Sequence, residues 1–284
     1  MAQVFDKDQL HYINNGQLKQ KQLRNDIDEA LFHNPFNENF IISSLPGLGK
    51  SHETTEALKN ANPATTMLIE GSANLTAFTI DIATAVYLSN GQRLLVVLDD
   101  CDMLFEDKNV NTAKKMFDQT RALKYNKNWR SLKGMCSELQ FEAIGSFSGD
   151  DKAGFSVPTD NITFLTLTNR HLPTVNEVEA ADSGSRKSTR FTDLYAIRRR
   201  CKYKEIAMDN NDLWGYAANV VLNEKICEEF KPTITQLEKE QILTWCYNNW
   251  KNVSERNLSL IEKMTKDMIR YPTDYLDIWK ANYL

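Results

Sequence analysis

The segment Phe40–Ser51, FIISSLPGLGKS, constrains this chain more than any other stretch. The apolar run Phe40 to Ile42 reads as a short strand, Pro46, Gly47 and Gly49 end it, and a helix-compatible run follows from Ser51 to Asn60. A strand, a glycine-containing loop and a helix in direct succession have a chemical use. Glycines let consecutive backbone N–H groups turn inward around phosphate oxygens, and the helix N-terminus adds partial positive charge. In such a loop Lys50 reaches the β and γ phosphates of a nucleoside triphosphate, and the Ser51 hydroxyl ligates Mg²⁺. The expected cradle comprises Ser44, Pro46, Gly47, Leu48, Gly49, Lys50 and Ser51, with Ser44 standing where the pattern GxxxxGK[ST] begins with glycine.

Further strand-like runs follow at Met67 to Ile69, Leu94 to Leu98, Ile162 to Leu167 and, more weakly, Tyr203 to Met208. Helical patterns separate the first of them, at Ser51 to Asn60 and Asn74 to Leu88, and strands alternating with helices indicate an α/β fold on a parallel sheet. Before the sheet, Asp6 to Phe32 carries Leu23, Ile27 and Leu31 at helical spacing, which predicts an N-terminal helical segment over 1–36. The α/β core is expected over 37–209. From 210 to 284 the strand signal gives way to three helical patterns, a small C-terminal helical lid. Within the core, the connection 106–160 is long; one helix near Val110 to Lys124 and then a loop with Gly145, Ser146, Ser148 and Gly149 are expected there. Gly184 to Thr189 reads as a surface loop.

The run Leu94 to Leu98 shows no alternation, as a strand buried on both faces should, and it closes on Asp99 and Asp100. Carboxylates at the C-terminal end of such a strand sit where open α/β sheets bind ligands. Asp99 is expected to hold Mg²⁺, and Asp100 to orient or deprotonate an attacking water. Asp102 is assigned to helix capping.

With these residues in view, the chain resembles the AAA+ ATPases. SLPGLGKS is similar to their Walker A segment and LLVVLDD to Walker B, although the second acidic residue, usually Glu, is Asp100 here. The strand ITFLTLTN ends in Asn169, where the family carries its sensor 1 residue. DLYAIRRRC resembles the segment ending in an arginine finger, which implies Arg200 first and Arg199 next as cations supplied to a neighbouring subunit, with Arg198 a surface residue; Arg199 stands in the Ser position of the Ser-Arg-Cys pattern. VSERNLSLIEKM resembles the lid helix that carries sensor 2, which makes Arg256 the candidate for the γ-phosphate. The resemblance implies a parallel-sheet P-loop core with a helical lid, ATP and Mg²⁺ as ligands, and a homo-oligomeric ring, hexameric or of another size. The style of the chain is closest to members encoded by phages or other mobile elements.

The substrate of such a motor stays open. ALKYNKNWRSLKG interleaves Lys124, Lys127, Arg130 and Lys133 with Tyr125 and Trp129, the combination a single-stranded DNA loop needs. Trp129 with Phe147 or Phe155 would equally serve to grip a polypeptide, and an ATP-switched binding module is a third option. A small-molecule kinase is the main rival enzyme, but it requires neither the Asn169 strand nor the arginine cluster. The net charge of −4 supplies no global attraction to phosphate backbones. Five scattered cysteines without metal-ligand spacing suggest neither a disulfide framework nor a zinc site. No apolar run approaches a bilayer span and no secretory signal is evident, so the expected location is the cytoplasm, of a host cell if the chain is phage-encoded.

Overall fold

Strands that show no alternation in sequence are the ones buried on both faces. In the computed structural model, which describes residues 5–71, 74–118, 122–149, 154–181, 184–253 and 255–284, the chain runs through α1 (Lys7–Phe32), β1 (Phe40–Ser44), α2 (Lys50–Leu58), β2 (Thr66–Glu70), α3 (Leu75–Ser89) and β3 (Leu94–Asp99). There follow α4 (Val110–Met116), β4 (Ala122–Tyr125), α5 (Glu138–Ser146), β5 (Phe155–Pro158), β6 (Ile162–Thr168), α6 (Val175–Glu179), α7 (Arg186–Arg198) and β7 (Lys202–Ile206). The C-terminal part is helical, with α8 (Asn210–Asn223), α9 (Ile226–Phe230), α10 (Gln236–Asn249), α11 (Leu258–Arg270) and α12 (Tyr275–Tyr283).

The fold is mixed α/β around a five-stranded sheet of order β2-β3-β6-β1-β7. Its described ladders, β1 with β6, β2 with β3 and β3 with β6, are all parallel. β1 and β6 are buried at every position and β3 at all but one, as interior strands covered on both faces should be. β2 and β7, at the edges, are largely half-exposed. Helices start where side chains replace missing backbone partners: Asn74 caps α3, and Ser137 with Gln140, Thr174 with Glu177 and Thr235 with Glu238 form capping boxes on α5, α6 and α10.

Contacts divide the chain into two compact units that cut across the segments read along the sequence. One comprises Asp26–Ser43 and Thr54–Glu205, the sheet unit; the other gathers Met1–Asn25, Ser44–Glu53 and Ile206–Leu284, the helical unit. The sheet unit is built on Ile41, Phe78, Ile82, Val96, Leu98, Phe164 and Ile197, all fully buried. The helical unit packs Trp214 edge-on to Tyr247 and Trp245 edge-on to Trp279, around Ile242, Cys246 and Met264.

Four expectations are corrected. The helix expected to reach Lys124 ends at Met116, and Lys124 lies on β4, which pairs antiparallel with β5. The alternation that marks β4, buried Leu123 beside exposed Lys124, spans only four residues, too few to stand out against a helical reading. Gly145 and Ser146 belong to α5 rather than a loop. Of the expected surface loop 184–189, only the first two residues precede α7, which Ser185 caps by accepting from the Ser188 N–H. The three helical patterns after 210 are, among the described residues, five helices. Among the described residues no helix is long and apolar enough to cross a membrane.

In the helical unit, α1 and α8 cross backbone to backbone. A Cβ on Gly16 would lie 2.4 Å from the Gly215 carbonyl carbon, and one on Gly215 would lie 2.0 Å from the Tyr12 carbonyl oxygen. Neither helix can retreat without opening the core that Trp214 fills. We predict that Gly215→Ala destabilises the protein by about 1–3 kcal/mol through overpacking, whereas Gly134→Ala, with open space at its Cα, changes stability by less than about 0.5 kcal/mol. Thermal melts showing equal effects would contradict the close crossing.

Candidate functional site

The loop expected to hold phosphate belongs to the helical unit. Gly47 and Gly49 adopt φ of 76° and 71°, the left-handed region that glycine enters without a Cβ penalty. Between them Leu48 turns its side chain into the helical core, 2% exposed, and its carbonyl accepts the Tyr216 hydroxyl at 2.5 Å. Burial holds that phenol protonated, its pKa well above the usual value. Gly47 lies flush against Asn257, the N-cap of α11: a Cβ at Gly47 would come within 2.3 Å of the Asn257 Cβ. The left-handed glycines therefore serve packing as well as turning.

Lys50 opens α2 and is 6% exposed; its ammonium donates to Ser44 Oγ at 2.9 Å and to the Ser44 and Leu45 carbonyls at 3.3 Å. Ser44, the departure from glycine, thus supplies the oxygen nearest the lysine among these contacts. Pro46, Gly47 and Ser51 are exposed. One turn into α2, Glu53 is 7% exposed and takes a two-pronged grip from Arg24 of α1 at 2.6 and 3.0 Å, with Gln20 donating at 2.9 Å. Arg24 also reaches Glu224 at 2.8 Å. Tyr216, Asn257, Arg24 and Gln20 escaped the sequence reading because no local pattern ties them to the loop; Tyr216 lies 168 positions from the carbonyl it holds.

Arg256 sits one residue before the cap of α11, not on the helix, and donates to Asn210 Oδ1 at 3.0 Å and the Lys251 carbonyl at 2.7 Å. Asn257, beside it, is the residue packed on Gly47.

In the sheet unit, the parallel ladders bring the carboxyl ends of β1, β3 and β6 to one edge. Asp99 pairs with Leu167 and Ser43 with Thr168, so Asp99 and the last ladder residue of β1 are at adjacent levels, two strand spacings or roughly 10 Å apart. The chain leaves β1 toward β2 in one direction across the sheet and leaves β2 and β3 in the other. Such a reversal is where open parallel sheets form a ligand crevice.

Asp99 is 7% exposed, and its Oδ1 is buried without a hydrogen-bond partner. A buried carboxylate oxygen is costly unless a partner meets it, so its chemistry fits a hard divalent cation such as Mg²⁺. Asp100 is exposed, at a left-handed φ of 51°, and its Oδ1 accepts from Asn169 Nδ2 at 3.0 Å. The structure thus brings Asp100, expected to handle water, against Asn169, the expected sensor 1 position. Asp102 does not cap a helix; its carboxylate takes Thr168 Oγ1 at 2.8 Å and Arg170 Nε at 2.7 Å. Cys101 donates its thiol to the Gly71 carbonyl at 3.2 Å, and burial together with the neighbouring aspartates raises its pKa to about 11, an inert thiol.

At the end of α7 the three arginines differ in freedom. Arg200 donates to the Ala196 carbonyl at 2.6 Å and pairs with Asp118 at 3.3 Å. Arg199 is exposed, its guanidinium 5.9 Å from the Tyr195 ring. Arg198 is not a plain surface residue: it lies 4.1 Å over the Tyr203 ring and donates to the Leu172 carbonyl.

In the 124–133 segment, Lys124, Lys127, Arg130 and Lys133 are exposed. Tyr125 stacks on Phe155 at 5.2 Å, and Trp129 packs on Phe141 at 5.0 Å with Arg130 over its ring at 5.7 Å. No protein-family model matches the chain, and no curated protein does.

His171 bonds Glu177 at 2.9 Å and Glu205 at 2.8 Å. Burial opposes its charging, but the two carboxylates outweigh that and raise its pKa above 6.5. A raised folded value means that the charged imidazole stabilises the sheet unit fully below about pH 6.5, and that this contribution disappears as pH climbs through the folded value. We predict that His171→Gln lowers the melting temperature at pH 5.5 and has no effect well above that value. The loss should be small, within the 0.2–1 kcal/mol or so of exposed pairs, and an opposite pH trend would exclude this pairing.

Proposed function

We propose that this chain is a P-loop ATPase of the AAA+ type, hydrolysing Mg-ATP in a homo-oligomeric ring and acting on DNA. The observation that carries the reading is the sheet order. β1, which continues into the glycine-lysine-serine loop, and β3, which ends in Asp99, flank β6, which ends beside Asn169, with all ladders among them parallel.

Each residue then has a task. The amides from Gly47 to Ser51 face the phosphates, and the positive φ values of Gly47 and Gly49 support that turn. Lys50, which donates to Ser44 here, exchanges those oxygens for the β and γ phosphates of bound ATP. Ser51 and Asp99 are the Mg²⁺ ligands, and the unpartnered Asp99 Oδ1 supports the second assignment. When bound, Mg²⁺ neutralises charge that develops on the phosphoryl oxygens. Asp100, held by Asn169, orients or deprotonates the attacking water. Arg199 or Arg200 of a neighbouring copy completes the charge stabilisation; Arg199 is the more exposed, whereas Arg200 must first leave Asp118. Arg256, next to the residue packed on Gly47, remains the candidate for the γ-phosphate. Lys124, Lys127, Trp129, Arg130 and Lys133 offer a DNA contact in which the exposed cations meet phosphates, although Trp129 already packs on Phe141.

ATPase assays test this directly. Lys50→Ala should abolish Mg-ATP binding and turnover, and Asp99→Asn should remove the Mg²⁺ dependence of nucleotide affinity. Arg199→Ala or Arg200→Ala should cut turnover by roughly 10³-fold while leaving ATP affinity within a few-fold. Mixing a finger variant with Lys50→Ala should restore part of the activity; no restoration at any ratio would sink the shared-site mechanism. Stimulation by single-stranded DNA is expected, and stimulation by an unfolded polypeptide instead would transfer the protein to the remodelling class.

A further inference from the structure

Beyond Asn169, the sheet unit holds a recess of about 600 Å³ lined by Arg170, His171, Arg186, Lys187, Arg190 and, as an apolar wall, Phe191 with Leu194. Among the described residues no carboxylate lines it, on a chain whose net charge is −4. Its cations are incompletely satisfied. Asp107 is shared between Arg186 at 3.2 Å and Arg190 at 3.8 Å, yet each guanidinium carries five N–H donors. Arg186 is 92% exposed, and Lys187 holds its ammonium 5.3 Å from the Phe191 ring centre. Arg170 is oriented by Asp102 at 2.7 Å.

Asp102 and Asp107 offset part of the charge of these four cations, and the excess that is left around the recess favours an anion with more than one charge. Guanidinium forks match phosphate oxygens in pairs, and the aromatic wall adds a face on which an unstacked base can lie. The volume exceeds what a single phosphate needs. We propose that this recess binds single-stranded nucleic acid, with Arg170, Arg186, Lys187 and Arg190 on successive phosphates and Phe191 against an unstacked base. The inference deepens the DNA-directed reading above, but it uses none of the residues assigned to ATP, so the two stand or fall separately.

Fluorescence anisotropy of a labelled oligothymidylate with the full chain, without nucleotide, tests it. The Arg186→Ala/Lys187→Ala double variant, both exposed positions, should keep the wild-type melting temperature and bind at least ten-fold more weakly at low salt. The slope of log affinity against log salt should become shallower by about 0.7 for each cation removed. Phe191→Leu should weaken binding several-fold with an unchanged salt slope, because it removes stacking and not charge. The proposal is overturned if the wild type does not bind the oligonucleotide, if the double variant binds as tightly as wild type, or if polyglutamate or inorganic polyphosphate of equal charge binds equally well.

Discussion

The parallel hydrogen-bond ladder is the constraint on which the rest of this molecule depends. Because β1, β6 and β3 run the same way in adjacent positions, residues separated by more than a hundred positions in sequence arrive at one edge of the sheet. Ser43, Asp99 and Thr168 share that edge through backbone pairing alone, before any side chain makes a contact. A one-residue slip of β3 would turn Asp99 from one face to the other, and the close packing around the fully buried Val96, Val97 and Leu98 opposes such a slip. The register of an ordinary apolar core therefore positions the candidate site.

On this frame the candidate site residues are the ones that break local rules. Asp99 carries a buried oxygen without a partner, and Asp100 occupies left-handed backbone that few side chains adopt. Each costs on the order of 1–3 kcal/mol and persists because the buried strand before it leaves no alternative. The neighbouring acids show the contrast. Asp102 is fully engaged by Thr168 and Arg170, which makes it a structural brace between the turn after β3 and the end of β6. Proximity in sequence did not give these three aspartates one role; their hydrogen-bond partners separated them.

The glycine loop is governed by a different set of contacts. Tyr216 holds the Leu48 carbonyl, Asn257 lies on Gly47, and Arg24 with Gln20 fixes Glu53 one turn beyond Lys50. These residues come from α8, from the cap of α11 and from α1, so the N-terminal and C-terminal segments jointly define the loop's shape. The Gly16–Gly215 crossing then gains a second meaning, since it sets how closely α8, and with it Tyr216, approaches α1.

Several features were legible in the residues themselves: the buried strands, from unbroken apolar runs; the N-terminal helix, from its periodicity; and the turn at Gly47 and Gly49, from residues that tolerate positive φ. These are properties that a few neighbouring side chains dictate. The 106–160 connection is not legible locally, because β4 and β5 are four residues each and become strands only by pairing with one another across thirty positions. The freedom of Arg199 against the engagement of Arg198 and Arg200, the grip of Tyr216 on the loop and the basic recess along α7 were likewise decided only by tertiary structure. Periodicity records which face of an element is apolar, whereas a site depends on which distant elements meet, and that is set by packing that no local stretch of sequence contains.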